Sequence, residues 1–313
     1  MNKTINIQKY LIIFRIPRIT VLLLFIIFFS GYNLKAQTRL MQQPVLSDTH
    51  VAFIYAEDLW IANKDGSNPI RLTIDEGIES NPIFSPDGSM IAFNAQYDGN
   101  SDVFIVPVNG GIPKRLTWHP YNDLVRDFSG DGKTILFASQ RNSFTNRYMQ
   151  LFTISIHGGT TTQLDIPNAF WASYSDDNSH IAYTPIPDRF NQWKHYRGGT
   201  TTRIWLYNTK SHKVEEIQKP AGGSNDSQPK WMGDDVYFKS DRDGEFNLYS
   251  YNTSTKAIDK LTDYKDFPVI NIAANNGFVI YEQAGTLHIY NTKTGANKHF
   301  NINITTDLLE LRE

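Results

Sequence analysis

The sequence predicts an all-β fold: a six-bladed β-propeller with four antiparallel strands per blade, preceded by a signal segment. Three observations predict it. Six internal repeats share one inner spacing, short β-branched and aromatic runs alternate with turn residues, and no segment after the N-terminal region keeps a helical period. The spacing is the sharpest of the three. Asp58-Leu59-Trp60 is followed by Arg71-Leu72-Thr73, and Asp102-Val103-Phe104 by Arg115-Leu116-Thr117. The same step joins Gln150 to Gln163, Arg203 to Glu216, Asn247 to Lys260 and Thr286 to His299, always 13 residues.

A turn precedes each triplet. Phe84-Ser85-Pro86-Asp87-Gly88 recurs as Phe128-Ser129-Gly130-Asp131-Gly132 and as Tyr174-Ser175-Asp176-Asp177-Asn178, with weaker forms at 231–235, 272–276 and 46–48. The second unit therefore divides into strands at Pro82 to Ser85, Met90 to Asn94, Asp102 to Val106 and Pro113 to Thr117. Six such units place blades at about 40–75, 78–119, 122–166, 168–219, 226–264 and 267–304. Residues 305–313 are expected to be a linker. A β-solenoid or open sandwich fits tight antiparallel turns with fixed spacing less well. No spare strand at either terminus completes a blade at the other, so the ring is expected to close by blade packing alone.

Composition bounds the function. The chain has 313 residues, 40% hydrophobic and 20% charged, with a net charge of -2, so no nucleic-acid partner is expected. It has no cysteine, which excludes disulfides, thiolate metal sites, a cysteine nucleophile and a bacterial lipoprotein anchor. Lys3, Lys9, Arg15 and Arg18 precede an apolar run from Ile19 to Phe29, and Ala36-Gln37 offers a cleavage point. Residues 1–36 thus have the form of a secretory signal, and the expected location is exported and periplasmic. The run of 11 residues is below the ~20 that span a bilayer, so membrane contact is expected only through an uncleaved anchor at 19–29.

No catalytic machinery is legible. Neither Gly-x-Ser-x-Gly nor a phosphate-cradling Gly-x-x-x-x-Gly-Lys-Ser/Thr loop occurs. The eight histidines scatter over the blade scheme, with only His119 and His195 on loops of one face, so neither a metal nor any other cofactor is expected. Asp87, Asp131, Asp241 and Asp243 fall at turns, where short carboxylates bond the local backbone. One loop stands out. The second-to-third-strand loop of the fourth unit runs from Pro185 to Thr202 and holds Arg189, Phe190, Trp193, Lys194, His195, Tyr196 and Arg197 before Gly198-Gly199. Of these, Arg189, Trp193, Lys194, Tyr196 and Arg197 are the candidate residues for gripping a peptide or a neighbouring domain. The competing reading is a loop that folds over the propeller end and packs its aromatics down.

The Phe-Ser-Pro-Asp-Gly turn at 84–88, Asp102-Val103-Phe104 and Lys114-Arg115-Leu116-Thr117 together resemble the propeller repeats shared by TolB-type and tricorn-type proteins. Ala182-Tyr183-Thr184-Pro185, Phe190 to Gly199, Arg203-Ile204-Trp205, Gln228-Pro229-Lys230-Trp231 and Tyr237 to Gly244 resemble the fourth and fifth blades of bacterial tricorn-type serine peptidases. Glu57-Asp58-Leu59-Trp60 extends the likeness, although Gly is more usual where Glu57 stands. The resemblance implies a larger machine with a second propeller, a PDZ module and a C-terminal serine-peptidase domain that carries the catalytic residues. No position here inherits those roles. The sequence ends at Glu313 before any such domain, and is expected to be a piece of a longer product or a free-standing module. The implied function is a non-catalytic substrate-admitting or docking propeller in proteolysis. Its implied partners are peptides or unfolded polypeptide and peptidase domains of the same family, with homo-oligomers possible; archaeal members are cytoplasmic. The alternative is a TolB-like periplasmic protein-binding scaffold. A third reading, a carbohydrate-active propeller with channel histidines, is disfavoured by their scatter.

Overall fold

The structure is a computed structural model that describes residues 38–304, apart from Phe144, Asn146 and 189–193. The expected signal segment (1–36) and linker (305–313) lie outside the described residues.

Twenty-four strands form six four-stranded sheets, each built from four consecutive antiparallel strands in chain order. The first strands of successive blades contact one another around the ring, and that of blade six (Val269–Asn275) meets that of blade one (Gln42–Leu46). The predicted six-bladed propeller is therefore present. In blade two the strands are Glu79–Phe84, Met90–Ala95, Asp102–Pro107 and Lys114–Arg115. The fourth is shorter than expected because outermost strands have one free edge, and short edges limit unwanted pairing.

The 13-residue spacing has a physical cause. Third and fourth strands are antiparallel and joined by a turn, which brings the start of the third beside the end of the fourth, with Trp60 opposite Arg71 and Phe104 opposite Arg115. Arg71 pairs with Asp58 at 2.9 Å and Arg115 with Asp102 at 2.6 Å. In blade four the charges are exchanged, Arg203 meeting Glu216 at 3.3 Å. Two residues further on, Thr73, Thr117 and Thr262 accept the backbone N–H of Leu59, Val103 and Leu248 at 2.9, 3.0 and 3.0 Å.

The third residue of each triplet faces a ring on the second strand. The pairs are Phe53 with Trp60, Phe93 with Phe104, Phe137 with Phe152, Tyr183 with Trp205, Phe238 with Tyr249 and Tyr281 with His288. All six second-strand rings are buried. Cross-strand aromatic pairs stabilise a sheet, and here one recurs in every blade.

Among the described residues, closure uses no exchanged strand. Phe300 and Ile302 join the apolar cluster of blade one, and the Ile304 N–H donates to Thr38 Oγ1 at 2.8 Å. Gly66, at φ +84°, lies so close to the same tail that a Cβ there would sit 2.4 Å from the Asn301 carbonyl oxygen.

Candidate functional site

Because strands alternate in direction, the second-to-third-strand loops and the inter-blade connections emerge at one end of the ring. The hairpin turns emerge at the other. The expanded loop of blade four lies at the first end and leans over blade five. Lys194 pairs with Glu245 at 2.6 Å, and Arg197 Nη1 with Asp241 at 2.7 Å. Arg197 Nη2 also donates to the Asp241 carbonyl at 3.1 Å. Asn225 donates its side-chain amide to the Tyr196 carbonyl at 2.9 Å, and its backbone N–H to Asp241 Oδ1 at 2.7 Å. The loop base is held as well, Asp188 accepting from Ser227 Oγ and facing Lys239 at 3.4 Å.

Of the five residues singled out in sequence, Lys194, Tyr196 and Arg197 come together against blade five. Arg189 and Trp193 lie outside the described residues. The two cations are already committed to carboxylates of this chain. Asp241 is corrected by this geometry: its side chain is fully buried and anchors the loop, whereas Asp87 and Asp131 are true turn residues. Ser85 Oγ and Ser129 Oγ donate to those two at 2.6 and 2.7 Å, holding both carboxyls below their usual range.

The same end carries an apolar rim that sequence reasoning missed. Phe267 and Ile270 are exposed beside the connection of blades five and six, and Leu40 at the closure. Ile74 and Ile78 follow between blades one and two, and Trp118 and Tyr121 between blades two and three. Ile74 is 78% and Trp118 65% exposed. Scattered surface apolars are ordinary, but seven on consecutive connections of one end form an arc of the kind that marks interaction surfaces. The arc runs from the five–six connection to the two–three connection, leaving the blade-four sector to the anchored loop.

The channel waist is polar. Gln43, Asn81, Gln228 and Asn271 occupy one position in four first strands, each at positive φ (50, 49, 53 and 42°) and each at a shift in strand register. Pro44, Pro82 and Pro229 follow three of them and cannot donate to the ladder, which favours a bulge that re-aims the side chain to the axis. The Asn81 N–H donates to Gln43 Oε1 at 2.5 Å, and the Gln43 N–H to Glu282 Oε1 at 2.5 Å. Asn271 Nδ2 reaches Glu282 at 2.8 Å and Gln228 Nε2 reaches Asn271 at 3.3 Å. The space left at this level is about 50 Å³. The repeated Gln-Pro or Asn-Pro step was the signal that announces this belt.

Burial pushes Glu282 from the ordinary carboxylate range up to about 7, against the hydrogen bonds from Gln43 and Asn271. Glu79, buried with Asp58 and Asp75 nearby, is likewise raised to about 7. The folded state then holds these protons more tightly than the unfolded chain. Stability falls as pH rises from about 4.5 to about 7 and levels off above. Glu282→Gln keeps the acceptor and removes its part of the slope. Chemical denaturation at pH 4.5 and 7.5 checks this: the variant's stability difference between the two pH values should be smaller than the parent's, and smaller again with Glu79→Gln added.

Among the described residues no three His, Asp or Glu side chains gather to hold a metal ion. His288 is a core ring, stacked on Tyr281 at 5.3 Å, and burial pushes it down to about 4.

The family model of the tricorn protease N-terminal β-propeller domain matches residues 38–296. Tricorn protease homolog 1 of Streptomyces coelicolor is 28% identical over 247 residues, covering 79% of this chain and 23% of its own length. The chain thus spans about a quarter of that relative. A putative tricorn-like protease N-terminal subunit of Sulfurisphaera tokodaii is 28% identical over 183 residues, 56% of this chain and 86% of its own. The crystal structure of the tricorn protease superposes with TM-score 0.77 at 20% identity, covering 86% of this chain and 27% of that one, a likeness of fold.

Proposed function

The chain belongs to the tricorn protease N-terminal β-propeller family, and from that premise we propose that it is a non-catalytic propeller docking the peptidase part of a tricorn-type enzyme through its apolar rim. The observation that carries this reading is the arc of exposed Ile, Leu, Phe, Trp and Tyr side chains on consecutive connections of one end. Aromatic side chains at the centre of a surface are the residues that dominate binding energy. The Sulfurisphaera relative, named as an N-terminal subunit, supports a propeller acting beside a separate catalytic chain. Docking is favoured over substrate admission because the waist is nearly filled by the polar belt, and a peptide threads it only if Gln43, Asn81, Gln228 and Asn271 part. Export to the periplasm belongs to the same proposal, supported by the basic and apolar pattern of residues 1–36.

A photo-reactive phenylalanine at position 118, introduced in the producing cells, is expected to cross-link a tricorn-family peptidase. The same group at Ile112, 93% exposed on a hairpin turn at the other end, is expected not to. Equal capture from both positions, or no peptidase from position 118, would refute the rim assignment.

A further inference from the structure

We propose that Glu79 is a proton-operated latch on the connection between blades one and two: protonated, it holds Ile74 and Ile78 in place, and ionised, it lets that connection move. Glu79 opens the first strand of blade two (Glu79–Phe84) and is 1% exposed. Two other blades start their first strand on a buried carboxylate, Asp123 in blade three and Asp226 in blade five. In both, the residue two past the end of the second strand is an arginine. Arg141 pairs with Asp123, and Arg242 with Asp226 at 3.0 Å. Each guanidinium also lies over the aromatic pair of its blade, 5.1 Å from Phe137 and Phe152, and 5.2 and 5.1 Å from Phe238 and Tyr249. In blade two the same position holds Tyr97, set edge-on against the equivalent Phe104 ring at 5.0 Å. The arrangement is repeated, but its cation is replaced by a phenol.

Tyr97 donates its hydroxyl to Glu79 Oε1 at 2.6 Å, and Glu79 Oε2 is buried with no hydrogen-bond partner among the described residues. The other charged groups facing Glu79 are Asp58, committed to Arg71 at 2.9 Å, and Asp75 on the connection itself. Both are like charges. A buried carboxylate with one hydrogen bond and no counter-ion is costly, so a proton takes the place that arginine fills in blades three and five. Burial raises Glu79 to about 7, and the proton therefore leaves close to neutral pH. Burial also pushes the Tyr97 hydroxyl far above its ordinary range, so it stays a donor throughout.

The connection is fastened at this point. The Glu79 N–H donates to the Glu57 carbonyl at 2.9 Å, and the Gln96 N–H to the Ile78 carbonyl at 3.1 Å. Gly77 packs so closely here that a Cβ would sit 2.9 Å from the Gln96 carbonyl oxygen and 2.7 Å from the Tyr97 ring. Ionising Glu79 puts an uncompensated charge inside this fastening, beside Asp75, and the cost is relieved when the connection lifts and admits water. Ile74 and Ile78 are exposed rim residues. Resting on the docking reading above, the latch therefore weakens docking as pH rises through about 7.

The chain has no cysteine, so Ile74→Cys carries a single environment-sensitive fluorophore. Its emission is expected to change between pH 6 and 8.5 with a midpoint near 7. It should stay flat when Glu79→Gln, which mimics the neutral acid, or Tyr97→Arg, which supplies the missing cation, is added. The same label at Val214→Cys, 49% exposed on blade four, should stay flat throughout. Titration of the unlabelled parent with the tricorn-family peptidase of the same cells is expected to show at least threefold weaker binding at pH 8.5 than at pH 6, and Glu79→Gln equal binding at both. No transition in the parent, or the same transition in Glu79→Gln or in Tyr97→Arg, would overturn the latch. Peptidase binding by the parent that ignores pH would overturn its hold on the rim. A transition with no peptidase binding at either pH would refute the docking reading alone and leave the latch standing.

Discussion

Replacing Asp241 by alanine should release the blade-four loop and destabilise the propeller by roughly 3–5 kcal/mol, the cost of removing one partner from a buried charge pair. Asp241 receives Arg197 at 2.7 Å and both the backbone and side-chain N–H groups of Asn225, at 2.7 and 2.9 Å. Alanine removes the acceptor of the Asn225 backbone N–H and leaves Arg197 with only the Tyr196 and Asp241 carbonyl oxygens. Asp241→Asn keeps one carbonyl oxygen for Asn225 and loses the charge, so it should fall between parent and alanine. Urea denaturation gives the global cost. Limited trypsin digestion gives the local one: cleavage at Lys194 or Arg197 should become fast under conditions where the parent loop resists. A protected loop in a destabilised Asp241→Ala protein would show that Asp241 supports blade five and not the loop.

Phe137→Ala should cost about as much, roughly 3–5 kcal/mol, the range for deleting a buried aromatic. Phe137 is fully buried. It stacks on Phe152 at 5.6 Å, and the Arg141 guanidinium lies 5.1 Å from both rings. Arg141 in turn is tied to the buried Asp123 at the start of the first strand. The aromatic pair therefore joins first, second and third strands of the blade. Phe137→Leu preserves most of the volume and should cost under about 1.5 kcal/mol in the same melt. Equal costs for leucine and alanine would place the stabilisation in the arginine–ring contact and not in burial.

What was legible in the sequence follows from chain distance. The 13-residue step is written within one hairpin, so Asp58 and Arg71 announce each other. The six blades follow from repeating it. Asp241 was not legible because Asp241-Arg242-Asp243-Gly244 spells the same turn chemistry as Pro86-Asp87-Gly88. Its true partner, Arg197, lies 44 positions earlier in another blade. The composition of the blade-four loop was informative, but the destination of its charges was not. The apolar rim was hidden for a different reason: a single Ile74 or Trp118 in a loop has no period, and only ring closure sets such residues side by side. The belt at the waist left a repeated Gln-Pro or Asn-Pro step, whose meaning depends on six strands converging on one axis.

The central claim is that one end of this propeller is a docking face. The most direct test titrates the purified chain against the tricorn-family peptidase of the same cells, comparing the parent with Trp118→Ser/Tyr121→Ser and with Ile112→Ser. Rim docking predicts at least a tenfold rise in Kd for the double variant and an unchanged Kd for Ile112→Ser. No binding by the parent, or equal weakening by both variants, would contradict it.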